Sequence, residues 1–398
     1  MAGLLTGKGK DLIGWQGTRE LIAAVELLLA KQLGRYDEDG EMCLLHTLAD
    51  KLSGELAFEE GFAERFALSL NEFEACQDES ELPEQWRRLQ DLIAEQFQRR
   101  SAVIVCHALC STVRMKVVAK VLELAEKWME KNGLGSTPSA YCCLAGGPLG
   151  RQEEMPYSEL ETILVYAEDG KSAASYFLGL CRKVAAILVQ LGITNGDMSF
   201  TSHLWRGSLS EWRQRFTDGS YDMVPLADLS LIHGDKELAA TTLNLVGAVQ
   251  ALNRSTLGVN ARRVSTMPGG LDFFGRFRME KSSGHKLVFP LEKYALLPLV
   301  ANVRILAIRD GIRETSTLNR IRRLVEAGSL NVEMSERLMR AFHEIETLQI
   351  REELLVRGRR AEIDAVQLAD ETEYRLKSAL ESISNLQKIV YSHFMDQG

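Results

Sequence analysis

Proline is scarce, at 8 in 398 residues against a usual share of about 5%. So few breakers leave room for long, uninterrupted helices. Cysteine is too irregular to build a disulfide scaffold. The seven (Cys43, Cys76, Cys106, Cys110, Cys142, Cys143, Cys181) are odd in number and lack framework spacing. With no secretory leader in the opening residues, that pattern predicts a reducing, cytoplasmic setting. Cys106 and Cys110 can share a helix face beside His107, but no second ligand pair follows at zinc-site spacing. Core packing is the better reading. Basic charge is not in excess either. A net charge of -8 and a pI near 5.6 exclude a general nucleic-acid binder, though not a local basic groove. No apolar run approaches the ~20 residues of a membrane span, so no membrane partner is expected.

What is present is globular: 45% hydrophobic and 26% charged residues. The length exceeds a single core and predicts two or three domains. Residues 1–100 read as helical. Leu21, Val25, Leu28 and Leu29 form a stripe, 37–41 a charged turn, and 59–75 and 84–99 further helices, the last just after Pro83. Val117, Val121, Leu124 and Trp128 mark another helix, which Asn132-Gly133 should stop. The period then changes. Segments 140–145, 160–166, 198–201 and 226–232 suit strands, with a helix over 173–191. Beyond Gly234-Asp235 a helix is expected at 237–252. A β-hairpin is expected near 273–291, turning at Lys281-Ser282-Ser283-Gly284, with helices only past Glu292.

The stretch Tyr141–Tyr166, YCCLAGGPLGRQEEMPYSELETILVY, carries the functional reading. A glycine-rich turn with one arginine lies between two apolar runs, and the second opens with Glu159 and Glu161. Side chains at i and i+2 of a strand share a face, so both carboxylates could address one metal ion beside a glycine-lined loop. The plain alternative is the solvated face of a half-buried strand. Arg151 is equally placed to pair with Glu153 or Glu154 as a surface contact of ~0–1 kcal/mol. Trp205 and Trp212 read as packing anchors. The run Arg357 to Arg360 reads as a helix end with favourable dipole charge.

The order of short motifs resembles the bacterial signal-transduction nucleotidyltransferases related to the N-terminal domain of protein-PII uridylyltransferase. The motifs are Gly147-Pro148, Gly150-Arg151, Glu153, Glu159-Leu160-Glu161, Trp205-Arg206, Trp212, Asp228-Leu229-Ser230 and Gly234-Asp235. PLVANVRILAIRDGI with Arg304, and Thr317-Leu318-Asn319-Arg320, extend the likeness through the C-terminal region. The resemblance implies a small mixed sheet of the polymerase-β-like nucleotidyltransferase fold over 101–235 and a helical C-terminal domain over 236–398. Residues 1–100 become an N-terminal helical region, either a regulatory or dimerisation module or an extension of the core. The expected class is therefore α+β, predominantly helical.

By the same resemblance Glu159, Glu161 and Asp228 are the expected catalytic metal ligands, for Mg²⁺. Gly146, Gly147, Leu149, Gly150 and Arg151 are the expected nucleotide-binding residues. An NTP would then donate NMP to a hydroxyl on an acceptor protein. The sequence departs from the family pattern where chemistry would occur. Pro148 replaces the serine and removes an N–H donor. Two glutamates stand for aspartates, Ser230 for an arginine, and Pro290-Leu291-Glu292 lacks an Asp-x-Lys pattern. These departures raise a second expectation: a non-catalytic module that binds a nucleotide or a regulatory protein.

Overall fold

Two strands fix the centre of the four-stranded sheet, and their residues explain why. β1 (Tyr141–Ala145) and β2 (Thr162–Tyr166) are buried at every position. A strand covered on both faces needs a continuous apolar run rather than an alternating one, and YCCLA and TILVY supply it. The computed structural model describes residues 38–395 apart from 219–221, 253, 282–286 and 361. The Leu21–Leu29 stripe, Asp37, Cys43's side chain and the hairpin turn at Ser282-Ser283-Gly284 lie outside the described residues.

Chain contacts divide the protein into two compact units, one of residues 1–76 and 84–92, the other of residues 77–83 and 93–398. The described residues of the first are helical: α1 (Glu38–Ala75) and the stretch Glu84–Leu92 of α2 (Leu82–Arg100). Residues 38–41, expected as a turn, are already helical. Phe58, Phe62 and Phe66 stack along α1 at one-turn intervals.

The second unit is a mixed sheet with helices, so the class is α+β and predominantly helical. After α3 (Val103–Lys131), with Gly133 at φ +74° past its end, come β1, β2, β3 (Arg206–Ser208) and β4 (Ser230–Gly234). They lie in the order β3-β2-β1-β4, antiparallel except for β2 with β3. Cys142, Leu144, Ile163 and Val165 face one way, into a core of Trp212, Phe216, Leu226, Leu238 and Val246. These come chiefly from α5 (Leu209–Thr217) and α6 (Lys236–Leu252). Tyr141 and Tyr166 face the other way, and both rings meet Phe177 of α4 (Lys171–Gln190). By length and composition α4 alone among the described helices could cross a membrane. Here its Phe177, Leu180, Cys181, Val184 and Leu188 are spent in the core. Trp212 is the expected anchor, fully buried with its indole N–H donating to the Leu164 carbonyl. Cys106 and Cys110 are likewise core residues, their sulfurs 3.9 Å apart.

Segment 198–201 is a turn, not a strand, although the Met198 carbonyl accepts the Thr162 N–H. The expected fourth strand starts late because Pro225–Asp228 forms a 3₁₀ turn ahead of β4.

In the C-terminal part α7 (Arg254–Ser265), α8 (Leu297–Arg309), α9 (Thr317–Glu326), α10 (Val332–Val356) and α11 (Asp370–Met395) pack together. α8 is the central rod, buried from Pro298 through Ala307. The region past Glu292 is not wholly helical. β7 (Glu362–Ile363) joins β5 (Glu280–Lys281) and β6 (Leu287–Pro290) in a small antiparallel sheet.

Gly150 is where the glycine turn meets the Asp228 segment. A Cβ there would stand 2.1 Å from the Asp228 carbonyl oxygen and 2.7 Å from that of Ala145. Both are backbone atoms that cannot rotate away. Gly150→Ala should therefore lose about 1–3 kcal/mol, read as a lower urea midpoint at an unchanged m-value.

Candidate functional site

The Gly146-Gly147-Pro148-Leu149-Gly150 turn follows β1 and forms a single helical turn over Gly147–Gly150. Three of its amides are committed to backbone carbonyls. The Gly146 N–H donates to the Glu161 carbonyl, Gly150 to Gly146, and Arg151 to Gly147. Gly146, Gly147, Leu149 and Gly150 are buried. A Cβ on Gly147 would lie 2.5 Å from Glu161 Oε2, and one on Gly146 2.9 Å from Met198 Sδ. Glutamate and methionine thus fill the space where a phosphate cradle would need to be open.

Arg151 turns inward. Its Nε donates to Glu153 Oε2 at 2.7 Å and its Nη1 to Asp228 Oδ2 at 2.8 Å. The Arg151–Glu153 pair is therefore buried, not the surface contact its sequence position suggested, and Glu154 pairs elsewhere, with Arg114. Two more arginines reach the same aspartate from the C-terminal helices. Arg304 of α8 donates through Nε to Oδ1 (3.0 Å) and through Nη2 to Oδ2 (2.5 Å). Arg320 of α9 donates through Nη1 to Oδ1 at 2.7 Å. A carboxylate has about four lone-pair positions, and Asp228 accepts four hydrogen bonds. Arg320 also holds the Ala227 carbonyl, and Glu153 accepts from the Thr317 N–H and hydroxyl.

Burial alone would push the Asp228 carboxyl up. Arg304, Arg151 and Arg320 outweigh it and hold that carboxyl well below the usual carboxylate range. The three guanidiniums stay charged at any working pH.

Glu159 and Glu161 do flank one point, since a Cβ on Gly196 would lie 3.6 Å from Glu159 Cβ and 3.0 Å from Glu161 Cγ. Leu160 between them makes only an isolated bridge to Asn195, ahead of β2. The two carboxylates part from there. Glu159 pairs with Arg359 Nη1 at 2.7 Å, while Arg359 Nη2 holds Glu292. Arg359 is thus more than a favourable helix-end charge. Glu161 lies over the glycine turn with no hydrogen bond to its carboxylate among the described residues. Burial raises its carboxyl, Arg151 and Arg304 oppose the rise, and Asp228 and Asp197 add to it.

The fit to Mg²⁺ can be judged on these contacts. A hard cation needs several free carboxylate oxygens converging. Asp228 has none free, Glu159 is engaged by an arginine, and Glu161 stands alone. Among the described residues no group of three or more His, Cys, Asp or Glu is placed to hold a metal ion. The trio as arranged does not fit the metal.

Arg304 and Arg320, which complete the site, were visible only as motif residues. The usable sign was Arg304 within LVANVRILAI: a lone arginine in an apolar, central helix must find a buried carboxylate.

Two family models match this chain. One, described as "Putative nucleotidyltransferase DUF294", covers residues 87–224. The other, "Putative nucleotidyltransferase substrate binding domain", covers residues 255–394. In that order along the chain, they assign it to a nucleotidyltransferase-like family. Asp228 falls between the matched stretches. No curated protein matches the chain.

Proposed function

We propose that this chain is a nucleotidyltransferase-like regulatory protein that works through protein contacts and does not perform metal-dependent nucleotidyl transfer. One observation carries the reading. The acid in the third metal-ligand position spends all its acceptor capacity on Arg151, Arg304 and Arg320. A cation entering there would have to displace buried, charge-assisted hydrogen bonds, each worth roughly 1.5–3 kcal/mol. The burial of the glycine turn under Glu161 and Met198 favours a protein partner over a nucleotide. The motif likeness to protein-PII uridylyltransferase supports a signalling role, and the buried thiols of Cys106, Cys110, Cys142, Cys143 and Cys181 support a cytoplasmic one.

The test is pyrophosphate release from each NTP with Mg²⁺, beside calorimetry at millimolar nucleotide. Neither release nor binding heat is expected. The triple variant Pro148→Ser, Glu159→Asp, Glu161→Asp should stay inactive, because it leaves the arginines on Asp228. Magnesium-dependent pyrophosphate release by the wild-type protein, lost in Glu161→Gln, would overturn the reading.

A further inference from the structure

Outside this site the most unusual surface is the turn at Asp272–Arg276. Asp272 ties it together. Its N–H donates to the Arg276 carbonyl and its carbonyl accepts from the Gly275 N–H. Its Oδ1 accepts from the Phe274 and Arg276 N–H groups, and its Oδ2 takes Arg276 Nε at 2.9 Å. Gly275, at φ +72°, supplies the left-handed step, and a Leu271–Phe277 bridge closes the base. Phe277 turns inward to Phe289, at 5.2 Å between ring centres. Phe273 and Phe274 turn outward, 96% and 76% exposed. A turn this heavily bonded holds two phenyl rings in water without letting them fold back. Ordering them on binding therefore costs little, and large exposed apolar side chains of this kind mark contact surfaces.

The turn's setting suggests its partner. Its base runs along α11: Gly269 faces Ser384, Gly270 packs on Leu380, and the Phe277 ring lies 5.4 Å from Lys377 Nζ. That path leads toward the first turns of α11, where Tyr374 is 74% exposed and Val366, just upstream, 78%. The charges are complementary as well. Arg278 and Lys281 on the turn's side have no carboxylate partner among the described residues, and neither does Asp370 at the start of α11 a cationic one. These residues together offer an apolar knob, an apolar landing and charges of both signs that lack an ion-pair partner among the described residues.

We propose that this face pairs with a second copy of the chain about a two-fold axis. The Phe273-Phe274 knob of each copy rests on Tyr374 and Val366 of the other, with Arg278 and Lys281 opposite Asp370. Only a self-complementary patch can form such a reciprocal contact. Two phenylalanines and a tyrosine, at roughly 150–250 Å² each, offer about 500 Å² per copy. Both copies together reach the roughly 1,000 Å² that a specific interface must clear. This pairing does not depend on whether the molecule transfers nucleotides.

Sedimentation equilibrium of the full chain, from about 1 to about 100 µM, should show a reversible dimer with a Kd in the micromolar range. Phe273→Ser with Phe274→Ser should weaken it at least about 100-fold while leaving the melting temperature of the monomer unchanged, since both rings are exposed. Arg278→Asp should weaken the dimer, and adding Asp370→Arg should restore it. A wild-type protein that stays monomeric at about 100 µM, or a double-serine variant with an unchanged Kd, overturns the proposal.

Discussion

Asp228→Asn should cost roughly 3–5 kcal/mol of folding free energy, the range for removing one partner of a buried ion cluster. The amide keeps the shape and one acceptor oxygen, but it removes the charge that Arg151, Arg304 and Arg320 share and turns an acceptor toward them into a donor. Those guanidiniums cannot neutralise themselves by losing a proton. Glu153 remains for Arg151, whereas Arg304 donates to no other carboxylate among the described residues. Glu161→Gln is the matched control. Its carboxylate accepts no hydrogen bond among the described residues and burial raises its carboxyl, so the change should leave stability within about 0.5 kcal/mol or raise it. Urea unfolding at neutral pH measures both. The acid limb adds a second check. Because Asp228 is held below its unfolded value, its contribution is present above about pH 4 and declines as pH falls from there. Asp228→Asn should therefore lose most relative to wild type near neutrality and least in acid. A metal-ligand role predicts the reverse for Asp228→Asn, since removing a lone acidic ligand from an apo site relieves repulsion.

Much of this arrangement could be read from local sequence. β1 and β2 were legible because strands buried on both faces need unbroken apolar runs, and α3, α4, α8 and α10 because few prolines or glycines interrupt them. β3 was not, because Arg206-Gly207-Ser208 is three residues long and has no apolar period. It is held by parallel pairing to β2 and by the Arg206 guanidinium on the Phe200 and Thr201 carbonyls. Met198-Ser199-Phe200-Thr201 alternates like a strand, but Met198 and Phe200 are buried within a turn. The site divides the same way. The glycine turn, both glutamates and Asp228 stand out as motifs, yet what Asp228 touches does not. Its partners Arg304 and Arg320 lie 76 and 92 residues away in the chain, a pairing no local pattern encodes. Motifs identify which positions the fold reserves for chemistry; the charges brought to them by distant helices decide whether that chemistry is open.

A second buried charge cluster gives the other large effect, with opposite sign in pH. Glu353 of α10 accepts the Tyr157 N–H at 3.0 Å. Around it stand Gln349 and Glu346 on its own helix and Glu154 from the segment after the glycine turn. Glu154 in turn pairs with Arg114 Nε at 3.0 Å, and Glu346 with His107 Nε2 at 3.5 Å, both from α3. Three carboxylates thus share one arginine and one histidine. Burial pushes Glu353 to about 8, against the Tyr157 hydrogen bond and with Glu346 adding to the rise. Burial also pushes Glu154 to about 7, with Arg114 opposing. An acid raised in the folded state favours folding only while it keeps its proton. The benefit is full below about pH 4.5 and drains away as pH climbs to about 8. At 1.36 kcal/mol per pH unit, Glu353 accounts for a loss on the order of 4 kcal/mol across that span. Glu353→Gln keeps an acceptor for Tyr157 and can never ionise. It should match wild type near pH 4.5 and exceed it progressively toward pH 8.5, by up to about 4 kcal/mol. Chemical denaturation at half-unit pH steps resolves this. A difference between the two proteins that does not change with pH would mean the carboxylate is already ionised at the low end, and the cluster would then owe its stability to Arg114 and His107 instead of to a retained proton.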